Sequence, residues 1–290
     1  MPSRWSERRR KFRSILSGST CVFPGSVHDP ISARIAADLG FEVGMFAGST
    51  ASLTVLGAPD LIVLTLSEFA DQAHRIGRAA ELPLMCDADH GYGNALSVMR
   101  TVEELEAAGV AGLSIEDTLL PQAYGTSAQQ ILSIEEGVGK MKAALAGRRD
   151  PDLAIAGRTS AIQITGLDDT IARAKAYEAA GVDAIFLVGL KTRKELEAIA
   201  PHLRLPIILG TATPELSDRE YLAKQGVRIC LQGHQPFQAS VQAIYATLKA
   251  LREGTPPKDL QGLASPELMR RVTRAGDYER WSKDFLGGKS

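Results

Sequence analysis

Eight short apolar runs, each followed by a longer amphipathic stretch, constrain this chain more than any other feature. They are 21–27 (CVFPGSV), 43–47 (VGMFA), 83–86 (PLMC), 110–115 (VAGLSI), 153–156 (LAIA), 183–188 (DAIFLV), 205–209 (LPIIL) and 227–231 (VRICL). Each is too short for a helix and mostly apolar throughout rather than alternating, the pattern of strands covered on both faces of a parallel sheet. Between them lie helix signals. Ser133-Ile-Glu-Glu136, Thr192-Arg-Lys-Glu195 and Ser217-Asp-Arg-Glu220 read as capping boxes. Gly109, Gly181 and Gly226 fall just before the next run, where left-handed helix ends belong. Eight such units predict an α/β fold, a (β/α)8 TIM barrel, which typically takes about 250 residues. A doubly wound open sheet is the alternative, but no GxGxxG turn follows the first run and no Walker pattern occurs.

The expected organisation is a single barrel domain over 1–290, with an N-terminal helix within 1–19 and a C-terminal helical tail over 254–290. The tail begins where Gly254-Thr-Pro-Pro257 breaks the last barrel helix, and it is expected to pack outside the barrel or on a partner subunit. The basic stretch Arg4, Arg8, Arg9, Arg10, Lys11 and Arg13 has no apolar h-region. It reads as a surface helix seated through Trp5, Phe12, Ile15 and Leu16 rather than as a targeting peptide. Lys and Arg number 33 against 34 Asp and Glu, which argues against a nucleic-acid or membrane-surface partner. No run reaches the ~18 apolar residues of a membrane span. The three cysteines, Cys21, Cys86 and Cys230, are odd in number and far apart, which fits a reducing, cytoplasmic setting.

A barrel carries its chemistry at the C-terminal ends of its strands. There the sequence places Gly48-Ser49-Thr50, Asp87-Ala-Asp89-His90-Gly91-Tyr-Gly93-Asn94, Glu116-Asp117, Arg158-Thr159 and Gly233-His234. Asp87 and Asp89 are two apart and share a face of an extended segment, and Glu116 arrives from the adjacent strand. Three carboxylates in a buried mouth repel one another, so a cation is expected among them, and oxygen-only ligands suit Mg²⁺ or Mn²⁺. On that reading, removing Asp87 would relieve repulsion in the metal-free protein. The plainer alternative makes Asp89 or Asn94 a helix cap. An EF-hand is excluded because its twelfth position is Val98. Arg158 offers a fork for a substrate carboxylate, or a bridge to Glu116 or Asp117. His234 stands opposite the carboxylates and is the histidine suited to chemistry; His28 and His90 are weaker candidates, and His74 and His202 read as surface. Gly91 with Gly93, and Gly48-Ser49-Thr50, serve either as anion seats or as turns.

These residues resemble the isocitrate lyase/phosphoenolpyruvate mutase superfamily. The likeness rests on Asp87–Asn94, Ser114-Ile-Glu-Asp-Thr118, Asp29–Gly40, Gly48-Ser49 and Arg158-Thr159, and it runs from about residue 12 to 285. Within that superfamily the chain is most similar to the oxaloacetate decarboxylase branch. The resemblance implies Asp87 as Mg²⁺ ligand with Asp89 and Glu116 holding its waters, and Ser49, Arg158 and His234 at the substrate. It also implies a helix exchanged between subunits and a homotetramer built as a dimer of dimers. The C–C lyases of the superfamily carry a Cys- and His-bearing loop after the Glu-Asp pair. Here it reads Thr118-Leu-Leu-Pro-Gln-Ala-Tyr-Gly-Thr126, without Cys, His or Lys, so the acid–base group of a retro-aldol cleavage is missing. Arg158-Thr-Ser160-Ala161 and a short Gly210–Thr213 segment also depart from the family pattern. The expected activity is Mg²⁺-dependent decarboxylation of oxaloacetate to pyruvate and CO₂ through a metal-stabilised enolate, with Arg158 and His234 as the catalytic side chains. The alternatives are phosphonopyruvate hydrolysis, mutase or lyase chemistry on a related acid, and a barrel that binds a dicarboxylate keto acid without turning it over.

Overall fold

All eight apolar runs are strands, each pairing in parallel with the next in the order β1 to β8. The structure, a computed structural model, describes residues 4–287. The strands are β1 Gly25–Ser26, β2 Gly44–Ala47, β3 Leu84–Asp87, β4 Gly112–Glu116, β5 Ala154–Thr159, β6 Ala184–Leu187, β7 Ile207–Leu209 and β8 Val227–Cys230. Val22, just before β1, bridges in parallel to Ile229 of β8, so the sheet closes into the predicted barrel. The chain divides into two compact units between His234 and Gln235.

In the first unit the helices are α1 Arg4–Leu16, α2 Pro30–Asp38, α3 Gly48–Ala51, α4 Leu66–Ala79, α5 Ala95–Ala107, α6 Ile134–Gly147, α7 Ala161–Ile164, α8 Leu167–Ala180, α9 Arg193–Ile199 and α10 Arg219–Lys224. From β2 to β8 both faces of the strands are largely apolar because each faces a different core. Met45, Met85, Ala154, Ala156, Phe186, Ile208 and Ile229 fill the barrel interior. Phe46, Leu84, Cys86, Leu113, Ile155, Ile185 and Leu209 pack against the helices. A period of two therefore separates a barrel-filling set from a helix-covering set.

The N-terminal helix differs from the surface helix expected. Phe12 of α1 belongs to the interior cluster and lies so close to Gly112 that a Cβ there would overlap its ring. Arg8 and Arg9 are buried. Arg8 donates to the Gly77 carbonyl at 2.5 Å, and Arg9 to the carbonyls of Glu106 and Val110 at 2.5 and 3.0 Å. Gly77 and Glu106 lie in the last turns of α4 and α5, whose carbonyls have no partner within the helix. The basic run thus seals one end of the barrel by capping helices.

The helix ends follow the sequence with two changes. Thr192 and Glu195 form the full reciprocal box. Ser133 caps α6 by accepting from the Glu136 N–H, with no reciprocal bond from Glu136. α10 is capped by Asp218, not Ser217, because the Asp218 side chain takes the N–H groups of both Glu220 and Tyr221. Gly109, Gly181 and Gly226 have φ of 88°, 99° and 83°, as their C-terminal positions require.

The second unit holds α11 Gln235–Arg252, α12 Pro266–Thr273 and α13 Ala275–Leu286. α11 exposes Val241, Ile244, Tyr245 and Leu248, an apolar stripe at helical spacing. Among the described residues, no helix is long and apolar enough to cross a membrane.

Candidate active site

The C-terminal strand ends surround a cavity of about 380 Å³, lined by all six predicted site residues: Ser49, Asp87, Asp89, Glu116, Arg158 and His234. Register brings them there. Ala47, Asp87 and Ser114 are partners across β2–β4, and Glu116, Arg158 and Phe186 across β4–β6. Asp87 follows Met85 by two residues and Arg158 follows Ala156 by two. The alternation that fills the interior with apolar groups turns these polar ones into its mouth.

Arg158 is the hub. It pairs with Asp87, lies 3.0 Å from Glu116, and stands 5.6 Å from the centre of the Phe186 ring. Ser114 donates its hydroxyl to the other Asp87 oxygen at 3.0 Å. Of the two bridges left open by the sequence, Glu116 is the partner. Asp117 instead turns to α8, where it accepts from the Tyr177 hydroxyl at 2.5 Å and from Arg173 at 3.2 Å.

Asp89 sits in a left-handed backbone conformation, φ 47°. Its carboxylate lies against Gly48 so closely that any Cβ at 48 would overlap it. Asn94 is the cap of α5, accepting from the N–H groups of Leu96 and Ser97. The plainer reading therefore holds for Asn94 and not for Asp89. Gly91 and Gly93 take positive φ, and a Cβ at either would strike the start of α5, so turn geometry accounts for both. Ser49 is the second residue of the short α3. His234 Nδ1 is 2.9 Å from Ser26 Oγ. His28 and His90 do not line the cavity; His90 is buried, and burial followed by the Lys140 charge pushes its pKa down to about 4. His74 meets the Trp5 ring edge-on at 6.4 Å, and His202 is exposed on a 3₁₀ turn.

The cavity sets four carboxylates, Asp60, Asp87, Asp89 and Glu116, against one guanidinium. Burial first, then neighbouring carboxylates, raises the Asp89 carboxyl well above the usual range. Burial also raises Glu116 despite Arg158, and raises Asp60, where Asp87 adds to the effect. Arg158 is held charged by Asp87 and Glu116 against its burial. Burial lowers His234, which keeps its ring neutral near pH 7. Among the described residues, no three acidic, histidine or cysteine side chains already stand as a ligand set; Asp87 and Glu116 are both paired with Arg158.

The family model of phosphoenolpyruvate phosphomutase matches residues 12–252. The oxaloacetate decarboxylase of Bradyrhizobium diazoefficiens is 62% identical over 282 residues, covering 97% of this chain and 98% of its own. The chain belongs to the oxaloacetate decarboxylase family. The fold agrees. An oxaloacetate acetylhydrolase solved with the inhibitor 3,3-difluorooxalacetate superposes with a TM-score of 0.85 at 28% identity, covering 98% of this chain and 99% of its own. A phosphonopyruvate hydrolase solved with oxalate and Mg²⁺ gives 0.84 at 27%, covering 96% and 99%.

In this member of the oxaloacetate decarboxylase family the donor set fits a divalent cation. The carboxylates outnumber the one guanidinium, and Glu116 Oε2 is buried without a hydrogen bond, although Arg158 lies 3.0 Å away. A hard cation would satisfy that oxygen and the charge excess together.

Several cavity residues escape a reading of the sequence. Asp60 comes from Gly57-Ala-Pro-Asp60, which reads as an ordinary turn, and Gln122 and Gln129 come from a loop without charge. Ser114 carried a usable signal, being two residues before Glu116 on the same strand face. Ser26 carried a weaker one, as a hydroxyl near the end of the first apolar run.

Proposed function

We propose that this chain is a carboxy-lyase that decarboxylates oxaloacetate to pyruvate and CO₂ with Mg²⁺, Mn²⁺ being the alternative ion. The observation that carries the reading is the 62% identity, over 97% of the chain, to an oxaloacetate decarboxylase; the cavity chemistry agrees with it. Asp87, Asp89 and Glu116 are the residues that would hold the cation. When bound, it supplies a Lewis acid that polarises the substrate ketone, worth several kcal/mol.

The chain's own side chains do the rest. Arg158 and Ser49 orient the substrate carboxylates. In the tautomer in which the Ser26 hydroxyl donates to Nδ1, His234 would carry its proton on Nε2 and offer a neutral donor to the oxygen that becomes negative as CO₂ leaves. C3 of the resulting enolate takes a proton from water, which balances the reaction. Leu61, Ile62, Leu120, Phe186, Val188 and Leu231 contribute apolar wall, where a departing carboxylate gains little stabilisation as an ion. The 118–130 loop presents Leu120, Gln122 and Gln129 to the cavity, none of them an acid–base group for C–C lyase chemistry.

Purified protein given oxaloacetate and Mg²⁺ should release pyruvate and CO₂ in equal amounts, lose that activity in excess EDTA, and yield no glyoxylate from isocitrate. Oxaloacetate loss no faster than with free Mg²⁺ would overturn the reading.

The assembly we propose is a homotetramer, a dimer of dimers in which the 254–290 tail packs on a partner. The exposed stripe of α11 and the exposed Tyr278, Trp281 and Phe285 of α13 support it. Light scattering should give about four times the 31.1 kDa chain mass; a monomeric mass would refute it. The proposed location is the cytoplasm, in keeping with three free, buried cysteines.

A further inference from the structure

α6 carries a lysine in its apolar stripe. Gly137, Lys140, Met141 and Ala144 make up one buried face, and Lys140 is 3% exposed. Its ammonium donates to a neutral partner, the main-chain carbonyl of His90, at 2.8 Å. A buried ammonium is costly unless paired with an anion, and burial does push the Lys140 pKa down. Placing a charge there therefore works against stability.

What that charge holds is the loop carrying the aspartates. Residues 89–93 include two non-glycine residues in the left-handed region, Asp89 at φ 47° and Tyr92 at φ 59°. Such conformations persist only where their surroundings over-determine them. Three consecutive carbonyls are pinned from three elements. Asp89 O accepts from the Glu116 N–H of β4 at 2.9 Å, His90 O from Lys140 of α6 at 2.8 Å, and Gly91 O from the Thr101 hydroxyl of α5 at 3.0 Å. Lys140 supplies the charged one; of the carboxylates that favour its charge, Glu136 on the same helix acts most strongly, followed by Glu116 and Asp117.

We propose that Lys140 is a positioning residue: through the His90 carbonyl it fixes the left-handed turn at Asp89, so that Asp87 and Asp89 face the cation with little rearrangement. The inference rests on the reading of Asp87, Asp89 and Glu116 as the cation-binding carboxylates. It makes Lys140 a group kept for function against stability.

Lys140→Met tests it, because methionine keeps most of the volume and removes both charge and donor. The variant should keep or raise its Tm. Its Mg²⁺ dissociation constant, measured by calorimetry without substrate, should rise ~10–100-fold, the usual cost of losing a group that orients ligands. kcat should recover toward wild type as Mg²⁺ is raised. Lys142→Met, exposed on the same helix, should change none of these. If Lys140→Met does not fold, Lys140→Gln, one bond too short to reach His90, should show the same weakened Mg²⁺ binding. Unchanged Mg²⁺ affinity in a folded variant would overturn the proposal. So would a lowered Tm with affinity and turnover per folded molecule at wild-type values. A wild-type protein that binds no Mg²⁺ would overturn the cation reading itself, and this inference with it, a pattern distinct from the other two.

Discussion

Asp87→Ala should yield a folded protein with almost no decarboxylase activity. If the cation contributes about 4 kcal/mol to the barrier, its loss costs roughly a thousandfold in turnover. The stability effect follows from the pairing of Asp87 rather than from carboxylate repulsion. Removing it strips Arg158 of one anion and leaves the Ser114 hydroxyl without its acceptor. Stripping a buried charge of its sole partner costs ~3–5 kcal/mol. Here Glu116 remains 3.0 Å from Arg158, so about 1–3 kcal/mol is expected. The sign is the reverse of the relief that three unpaired carboxylates would suggest. Thermal unfolding and steady-state turnover at high Mg²⁺ check both halves. Wild-type turnover in this variant would sink the assignment of Asp87.

The second large effect is expected at His234. His234→Ala leaves Arg158 and the carboxylates in place and removes the side chain proposed as the oxyanion donor. Losing one such donor costs ~10²–10³ in turnover, or about 3–4 kcal/mol. Binding of oxalate, a flat enolate mimic, should weaken in parallel. His234→Gln should recover part of the loss, since its amide still donates. The contact to Ser26 means that a purely structural histidine would give another result. The Ala variant would then unfold at lower temperature while each folded molecule turned over normally, and that outcome would remove His234 from the chemistry.

Much of the site was legible because strand periodicity is local. Asp87 ends its apolar run and Arg158 directly follows another, so their direction follows once the runs are barrel strands; Asp89 lies beyond β3 in a left-handed conformation, so the loop and not the expected shared strand face sets its direction. The cap of α5 was legible only as an ambiguity: Asp89 or Asn94 could take it, and the start of α5 at Ala95 decided for Asn94. Asp60 was illegible, because a turn aspartate in Pro-Asp looks the same whether it faces solvent or the cavity. Lys140 could have been noticed as a charge inside an apolar helical stripe, but its carbonyl partner lies 50 residues away in sequence.

By itself, the order of apolar runs, glycine helix ends and helix caps determined eight parallel strands with intervening helices, and which residues stand at their C-terminal ends. Those properties depend on interactions within a few residues and on the two-residue alternation of a strand. Only the tertiary structure decided which charges meet. Asp87 and Glu116 share Arg158, while Asp117, next in the chain to Glu116, faces the opposite way and is held by Arg173 and Tyr177 of α8. Likewise the arginines of α1 became caps rather than a solvated face, because closing the barrel brought the ends of α4 and α5 over them. Burial makes each such encounter energetically large, and burial is set by the packed barrel rather than by any one segment.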